Sequence, residues 1–158
     1  MENLYGEYID LLMEIKECVE QLSDLARRKI DAVRNDDLVE LNEVMKQEQA
    51  MALAIRGHEH RRSEMLSRMG LSDVPLSGLP AHYPEDIRYR AKETADDLIR
   101  QFEVFRGVSE AARTTIECNL HEVEKLLEDA GGSVSTANVG YGAPDIEPPA
   151  PMKTDFRA

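Results

Sequence analysis

The chain has 158 residues, a formal net charge of −12, 32% charged residues and only 5% aromatic residues, with no tryptophan. Its acidic balance argues against nucleic acid and anionic membranes as partners, because both require a basic protein surface. Many charged residues with few aromatic ones are typical of long helices, and this length suffices for one elongated bundle followed by a tail.

The first residues, MENLYGEYIDLL, contain no basic region, apolar core or cleavage site, and therefore predict no signal peptide. The longest wholly apolar run covers residues 50–55, which is too short to span a membrane. Cys18 and Cys118 lie in different predicted helices and form no metal-binding pair, which favours two reduced thiols over a disulfide. We therefore expect a cytoplasmic protein without membrane insertion.

The prolines divide the chain into helical and irregular parts. Residues 1–74 and 85–143 contain none, whereas Pro75, Pro80 and Pro84 fall close together. A proline inside a helix costs about 3 kcal/mol, so the two proline-free spans are where long helices are predicted.

The first helix is predicted over about residues 3–34. Its apolar stripe is wider than a two-stranded seam, which predicts contacts with more than one neighbouring helix. Residues 34–36 form a tight connection to the next helix, and so short a link between long helices predicts an antiparallel hairpin.

The second helix, predicted over about residues 37–69, carries a seam of residues alternately three and four apart. Such spacing indicates a helix that packs along its length against other helices. Asp37 and Glu40 resemble a capping box at its start, and Gly70 suits a left-handed cap at its end. The charged seam residues either fix the register at the wet edge of the interface or line a groove for a partner. The seam comprises Leu38, Leu41, Met45, Glu48, Ala52, Ile55, Glu59, Arg62, Leu66 and Met69.

Residues 70–84 form an irregular linker whose apolar side chains predict packing over the end of the bundle. The third helix is predicted over about residues 85–130. Gly107 lies in its middle, where a solvent-exposed glycine is favoured and a close helix approach or a bend are the alternatives. The apolar stripe of this helix comprises Ile87, Ala91, Ala95, Leu98, Phe102, Phe105, Val108, Ala112, Ile116, Leu120, Val123 and Leu127.

Residues 131–158 are rich in glycine and proline and show no helical or strand period, which predicts a disordered tail. Tyr141 and Phe156 in this tail are either incidental or docking points of a short linear motif. The predicted fold is therefore all-α: an elongated antiparallel bundle of three long helices in residues 1–130, followed by the disordered tail.

Motifs of catalysis and cofactor binding are missing from the sequence. It has no phosphate-binding glycine loop, nucleophile elbow or zinc-ligand spacing. Glu117 and His121 are four residues apart, but a di-iron bundle requires Glu-x-x-His motifs on two helices, and none occurs. We therefore predict a non-enzyme that holds no metal and no cofactor. Three long helices are typical of an interaction protein, in which a groove between helices can receive an amphipathic partner helix.

Two stretches in the region of the second helix resemble the FlgN family of flagellar type III export chaperones. They are residues 35–51, NDDLVELNEVMKQEQAM, and the E-x-x-R-x-x-x-L pattern that ends at Leu66. Residues 114–128, TTIECNLHEVEKLLE, look like the last conserved stretch of that family. Tyr141 and its flanking glycines lie where members often carry a Tyr-Gly element. One departure is the SEAARTT of residues 109–115, where many members carry paired asparagines.

This resemblance implies a cytoplasmic chaperone that binds the amphipathic C-terminal helix of hook–filament junction proteins, prevents their premature assembly and delivers them to the export gate. It implies that Tyr141 docks at that gate. Two alternatives stay open, namely a self-associating coiled-coil scaffold and an export chaperone for another client such as the filament cap. The client-binding residues that the resemblance implies are Phe102, Phe105, Val108, Ala112, Ile116, Leu120 and Val123.

Overall fold

The computed structural model of the chain describes residues 2–131. It contains three long helices, α1 (Glu2–Arg34), α2 (Leu38–Met69) and α3 (Glu85–Asp129), with a 3₁₀ helix, Leu76–His82, between α2 and α3. The predicted all-α fold of three long helices is confirmed, whereas the predicted tail lies outside the described residues. Within residues 2–131, every helix is too polar or too short to cross a bilayer.

The helices α1 and α2 form the predicted antiparallel hairpin. Lys29 near the end of α1 pairs with Glu48 in the first half of α2 at 2.8 Å. Glu14, half a helix earlier, pairs with Arg61 near the end of α2 at 3.3 Å. The tight turn between the helices places Asp36 at a φ of 52°, a conformation that Asp tolerates better than most residues.

Each end of α2 is capped, although only one half of the predicted capping box forms, because the Glu40 carboxylate accepts from Arg28 at 2.7 Å and not from the Asp37 N–H. The Asp37 carboxylate accepts a hydrogen bond from the backbone N–H of Glu40 at 3.0 Å, which satisfies one of the free donors of the first turn. At the other end Gly70 adopts a left-handed conformation with a φ of 70°, and its N–H donates to the Ser67 carbonyl at 3.1 Å.

The helix α3 runs parallel to α1 and antiparallel to α2. Asp10 of α1 pairs with Arg90 at 3.2 Å, and two turns later Lys16 pairs with Asp97 at 3.9 Å. In contrast, no Cα atom of α2 lies within 8 Å of a Cα atom of α3. The helix α1 therefore lies between two neighbours that do not pack closely on each other, which explains why its apolar face is wide.

The densest part of the core is at the end of the bundle that holds the 3₁₀ helix. There the first half of α1 meets the first turns of α3, and the linker packs over them, as its apolar side chains predicted. The fully buried residues of this region include Tyr8, Ile9, Leu11, Leu12, Ile15, Leu79 and Leu98.

The other end of the bundle holds the turn between α1 and α2 and the second half of α3. This helix continues without interruption through Gly107, where a Cβ atom would meet nothing within 4 Å, so Gly107 is an ordinary exposed glycine. Val33 and Arg34 at the end of α1 lie level with Thr115 and Cys118. The remainder of α3 extends past α1 by about three turns, and residues 120–129 are all exposed.

Candidate functional site

A groove with a volume of about 610 Å³ lies between α2 and α3, with α1 as its floor. Its residues recur three or four positions apart on each helix, so each helix turns one seam toward the same space. The floor is Val19, Leu22, Ala26 and Lys29. The α2 wall is Glu48, Ala52 and Ile55, and the α3 wall is Phe102, Phe105, Arg106, Ser109 and Ala112.

The charges in the groove are largely balanced. Lys29 and Glu48 face each other across the floor and the α2 wall and form an ion pair of 2.8 Å. Arg106 is exposed on the α3 wall, and among residues 2–131 no carboxylate lies within 4.0 Å of its guanidinium group. The groove therefore carries one unbalanced positive charge in a chain with a net charge of −12.

The seven residues predicted to bind a client share one stripe of α3 but fall in two environments. Phe102, Phe105 and Ala112 line the groove. Leu120 and Val123 lie beyond the end of α1 and are 57% and 45% exposed. The remaining two, Val108 and Ile116, are half-buried between these regions and are not part of the groove lining.

The last turns of α3 display large apolar side chains to solvent. Leu126 and Leu127 are 69% and 46% exposed and follow Leu120 and Val123 along the helix. A second crevice of about 510 Å³ lies beside them, lined by Val33, Val123 and Leu126 among polar residues. Clusters of exposed apolar side chains mark surfaces at which other proteins bind.

A comparison of the sequence with protein families assigns the chain to one of them. The model of the FlgN protein family matches residues 1–145 of the chain. The chain belongs to the FlgN family. FlgN proteins are flagellar export chaperones for hook–filament junction proteins, they act in the cytoplasm, and they are not enzymes. A search of curated proteins and a search of solved structures each found no match.

The family implies binding of hook-associated proteins, and the apolar surface of α3 is available for such a partner. No group of three or more His, Cys, Asp or Glu side chains in residues 2–131 is arranged to hold a metal ion.

The α1 and α2 residues of the groove were not among the predicted client-binding residues. The signal that could have found them is the charged residue Glu48 in the mostly apolar seam of α2, for which a groove was one of two explanations. The structure shows that Glu48 does line a groove. The other charged seam residues behave differently, because Glu59 pairs with Arg62 at 3.3 Å. Arg62 in turn donates to the Tyr8 hydroxyl at 3.5 Å and does not belong to the groove lining.

Proposed function

We propose that this FlgN chaperone binds the amphipathic C-terminal helix of a hook–filament junction protein along the α3 stripe. The observation that supports this most is the exposure of Leu120, Val123, Leu126 and Leu127, which lie past the end of α1. An amphipathic helix recognises such a surface through apolar anchors at positions i, i+3, i+4 and i+7. The proposed client-binding residues are Phe102, Phe105, Val108, Ala112, Ile116, Leu120 and Val123.

Covering the client helix has a direct physical benefit. An apolar helix face that later joins subunits of an assembly also drives premature assembly and aggregation before export. A chaperone that binds this face covers it, so that it can no longer drive assembly. Mass action alone keeps the client in the bound state, and no nucleotide is consumed.

The second part of the proposal concerns delivery to the flagellar export gate. Tyr141 lies outside the described residues, between two glycines in a segment that follows α3. We infer that Tyr141 docks at the gate, as the family resemblance implies. Tyr141→Ala should weaken binding to the gate and leave affinity for the client unchanged. Gate binding that does not change would remove this role.

The client surface can be tested with a matched pair of valine substitutions on α3. Val123 is 45% exposed and belongs to the proposed surface, whereas Val104 is 39% exposed and lies off the stripe. In isothermal titration, a peptide of the C-terminal helix of the junction protein from the same cell should bind Val123→Asp at least about tenfold more weakly. The reason is that the aspartate places an unpaired charge in an apolar contact. Val104→Asp should bind like the unaltered protein.

For each variant, circular dichroism measures the helicity alongside the titration, as a check that the protein is folded. Both valines are solvent-exposed in α3, so both variants should remain folded. Equal affinities for the two variants would place the client away from the end of α3 and contradict the proposed surface.

A further inference from the structure

We propose that α2 forms a second wall of the client site, so that part of the client helix lies in the groove between α2 and α3 as a fourth helix of the bundle. This inference rests on the function proposed above. It adds Ala52 on α2 and Arg106 on α3 to the residues that contact the client. The partner is an amphipathic helix with large apolar side chains on one face and a carboxylate on its flank.

The helices α2 and α3 stand apart above α1, so the groove between them is open to a partner. Packed helices have axes about 8–10 Å apart, which brings some of their Cα atoms much closer than that. No Cα atom of α2 lies within 8 Å of one in α3, whereas both helices pack on α1. The floor from Val19 to Lys29 and the wall from Phe102 to Ala112 each span roughly 15 Å, or about three turns of helix.

The surface of the groove suits the apolar side of a helix. Each of the three bundle helices contributes a seam with spacing of three and four residues, which is the pattern that receives side chains of a further helix. Ala52 and Ala112 lie on the two walls and Ala26 on the floor. Ala26 and Ala112 are only 3% exposed, whereas Ala52 is half-buried and leaves space beside it that a leucine, isoleucine or methionine of a partner can fill.

The apolar stripe that lines the groove on α3 continues along this helix to its exposed end. On α2 the seam continues from Glu48 to Met45, which is 48% exposed although it belongs to an apolar seam. On α3 the stripe continues from Ala112 through Ile116 to Leu120. A client helix that binds the end of α3 therefore meets the groove if it extends along the same stripe.

Charge favours a client over a second copy of this chain. Two copies each carry a net charge of −12 over the whole chain, and this like charge opposes their association. A client carboxylate, in contrast, would find the guanidinium group of Arg106, which no carboxylate of residues 2–131 approaches within 4.0 Å. Complementary charge at the rim of an interface raises the association rate and fixes the register.

The decisive experiment fills the groove. Ala52→Trp should lower the affinity of the client-helix peptide at least about tenfold in isothermal titration, because the indole occupies the space of the client side chains. The matched control is Ala54→Trp, since Ala54 is an exposed alanine of α2 outside the groove lining, and it should bind normally. Arg106→Glu, at an exposed position that does not support the fold, should slow association, and Arg106→Lys should largely restore it.

The outcomes separate this inference from the proposed function. Normal binding by Ala52→Trp and Arg106→Glu, together with weak binding by Val123→Asp, would overturn the groove and leave the α3 surface standing. Normal binding by all three would overturn both. If light scattering shows that the unaltered protein is a dimer and that Ala52→Trp is a monomer, the groove binds a second copy of the chain. That result would overturn the inference.

Discussion

The hydroxyl of Tyr83 offers a sharp test of the packing at the 3₁₀ end of the bundle. Tyr83 is 2% exposed, and its hydroxyl has no hydrogen-bond partner in the described structure. The ring itself is well placed, since it packs edge-on against Tyr5 with centroids 4.9 Å apart. Tyr83→Phe removes only the hydroxyl and keeps these ring contacts, so we expect the variant to be more stable than the unaltered protein.

The magnitude follows from the cost of burying a polar group. A buried hydroxyl without a partner costs about 1–3 kcal/mol, whereas removing its oxygen atom leaves a small gap that offsets part of the gain. The expected net gain is about 1 kcal/mol in the free energy of unfolding. For a helical region of this size it corresponds to a melting temperature raised by about 4 °C.

The assay is thermal and urea unfolding followed by circular dichroism, with Tyr8→Phe as the matched control. The Tyr8 hydroxyl is also buried, but it accepts a hydrogen bond from Arg62 at 3.5 Å. Tyr8→Phe should therefore lose about 1 kcal/mol, because Arg62 is left with one partner fewer. A loss of stability in Tyr83→Phe as well would refute the argument, since it would mean that the Tyr83 hydroxyl has a partner in solution.

Alkaline pH provides a second measurement on the same residue. Burial, with smaller contributions from Tyr8 and Tyr5, raises the pKa of the Tyr83 hydroxyl above its ordinary value of 10.0. Above about pH 10 the unfolded chain releases this proton while the folded protein retains it, so stability that is fully present below about pH 10 is lost as the pH rises further. Tyr83→Phe should flatten this decline, and equal slopes for both proteins would contradict the assignment.

Three further predictions follow from burial, capping and thiol exposure. Leu98→Ala should lower the free energy of unfolding by about 2–5 kcal/mol in urea, because Leu98 is fully buried in the core; a loss below about 1 kcal/mol would contradict this packing. Asp37→Ala should cost about 1 kcal/mol in a thermal melt, since the Asp37 carboxylate caps α2, and an unchanged melt would argue against the cap. Cys118 should react with a thiol reagent before Cys18, because Cys118 is exposed whereas burial, assisted by nearby glutamates, raises the pKa of the Cys18 thiol; mass spectrometry that finds Cys18 modified first would refute this order.

Most of the fold could be predicted from the sequence because the signals are local. Proline placement marked the helical spans, and Asp37 and Gly70 marked the ends of α2 through side-chain and backbone preferences that depend on only a few neighbouring residues. The short turn at Asp36 likewise predicted that α1 and α2 form an antiparallel hairpin. The width of the apolar face of α1 also indicated that this helix would contact more than one neighbour.

The binding surface was predictable only in part. The α3 stripe from Phe102 to Val123 is a periodic pattern, so its residues could be identified as one helix face from their spacing. The same pattern could not show that Phe102 lines a groove while Val123 projects past the end of α1, because that depends on how far α3 extends beyond its neighbours. Nor could it show that Ala52 of α2 lines the same groove.

The sequence by itself therefore determined the helices, their caps and which face of each is apolar, since these depend on spacing and on local hydrogen bonds. The tertiary structure decided what each apolar face meets. Met45 shows the distinction, because its place in the α2 seam predicts burial, yet its side chain is 48% exposed. Helical spacing indicates that a helix face favours burial, but it does not indicate which partner buries that face. Here α3 lies too far from α2 to cover Met45.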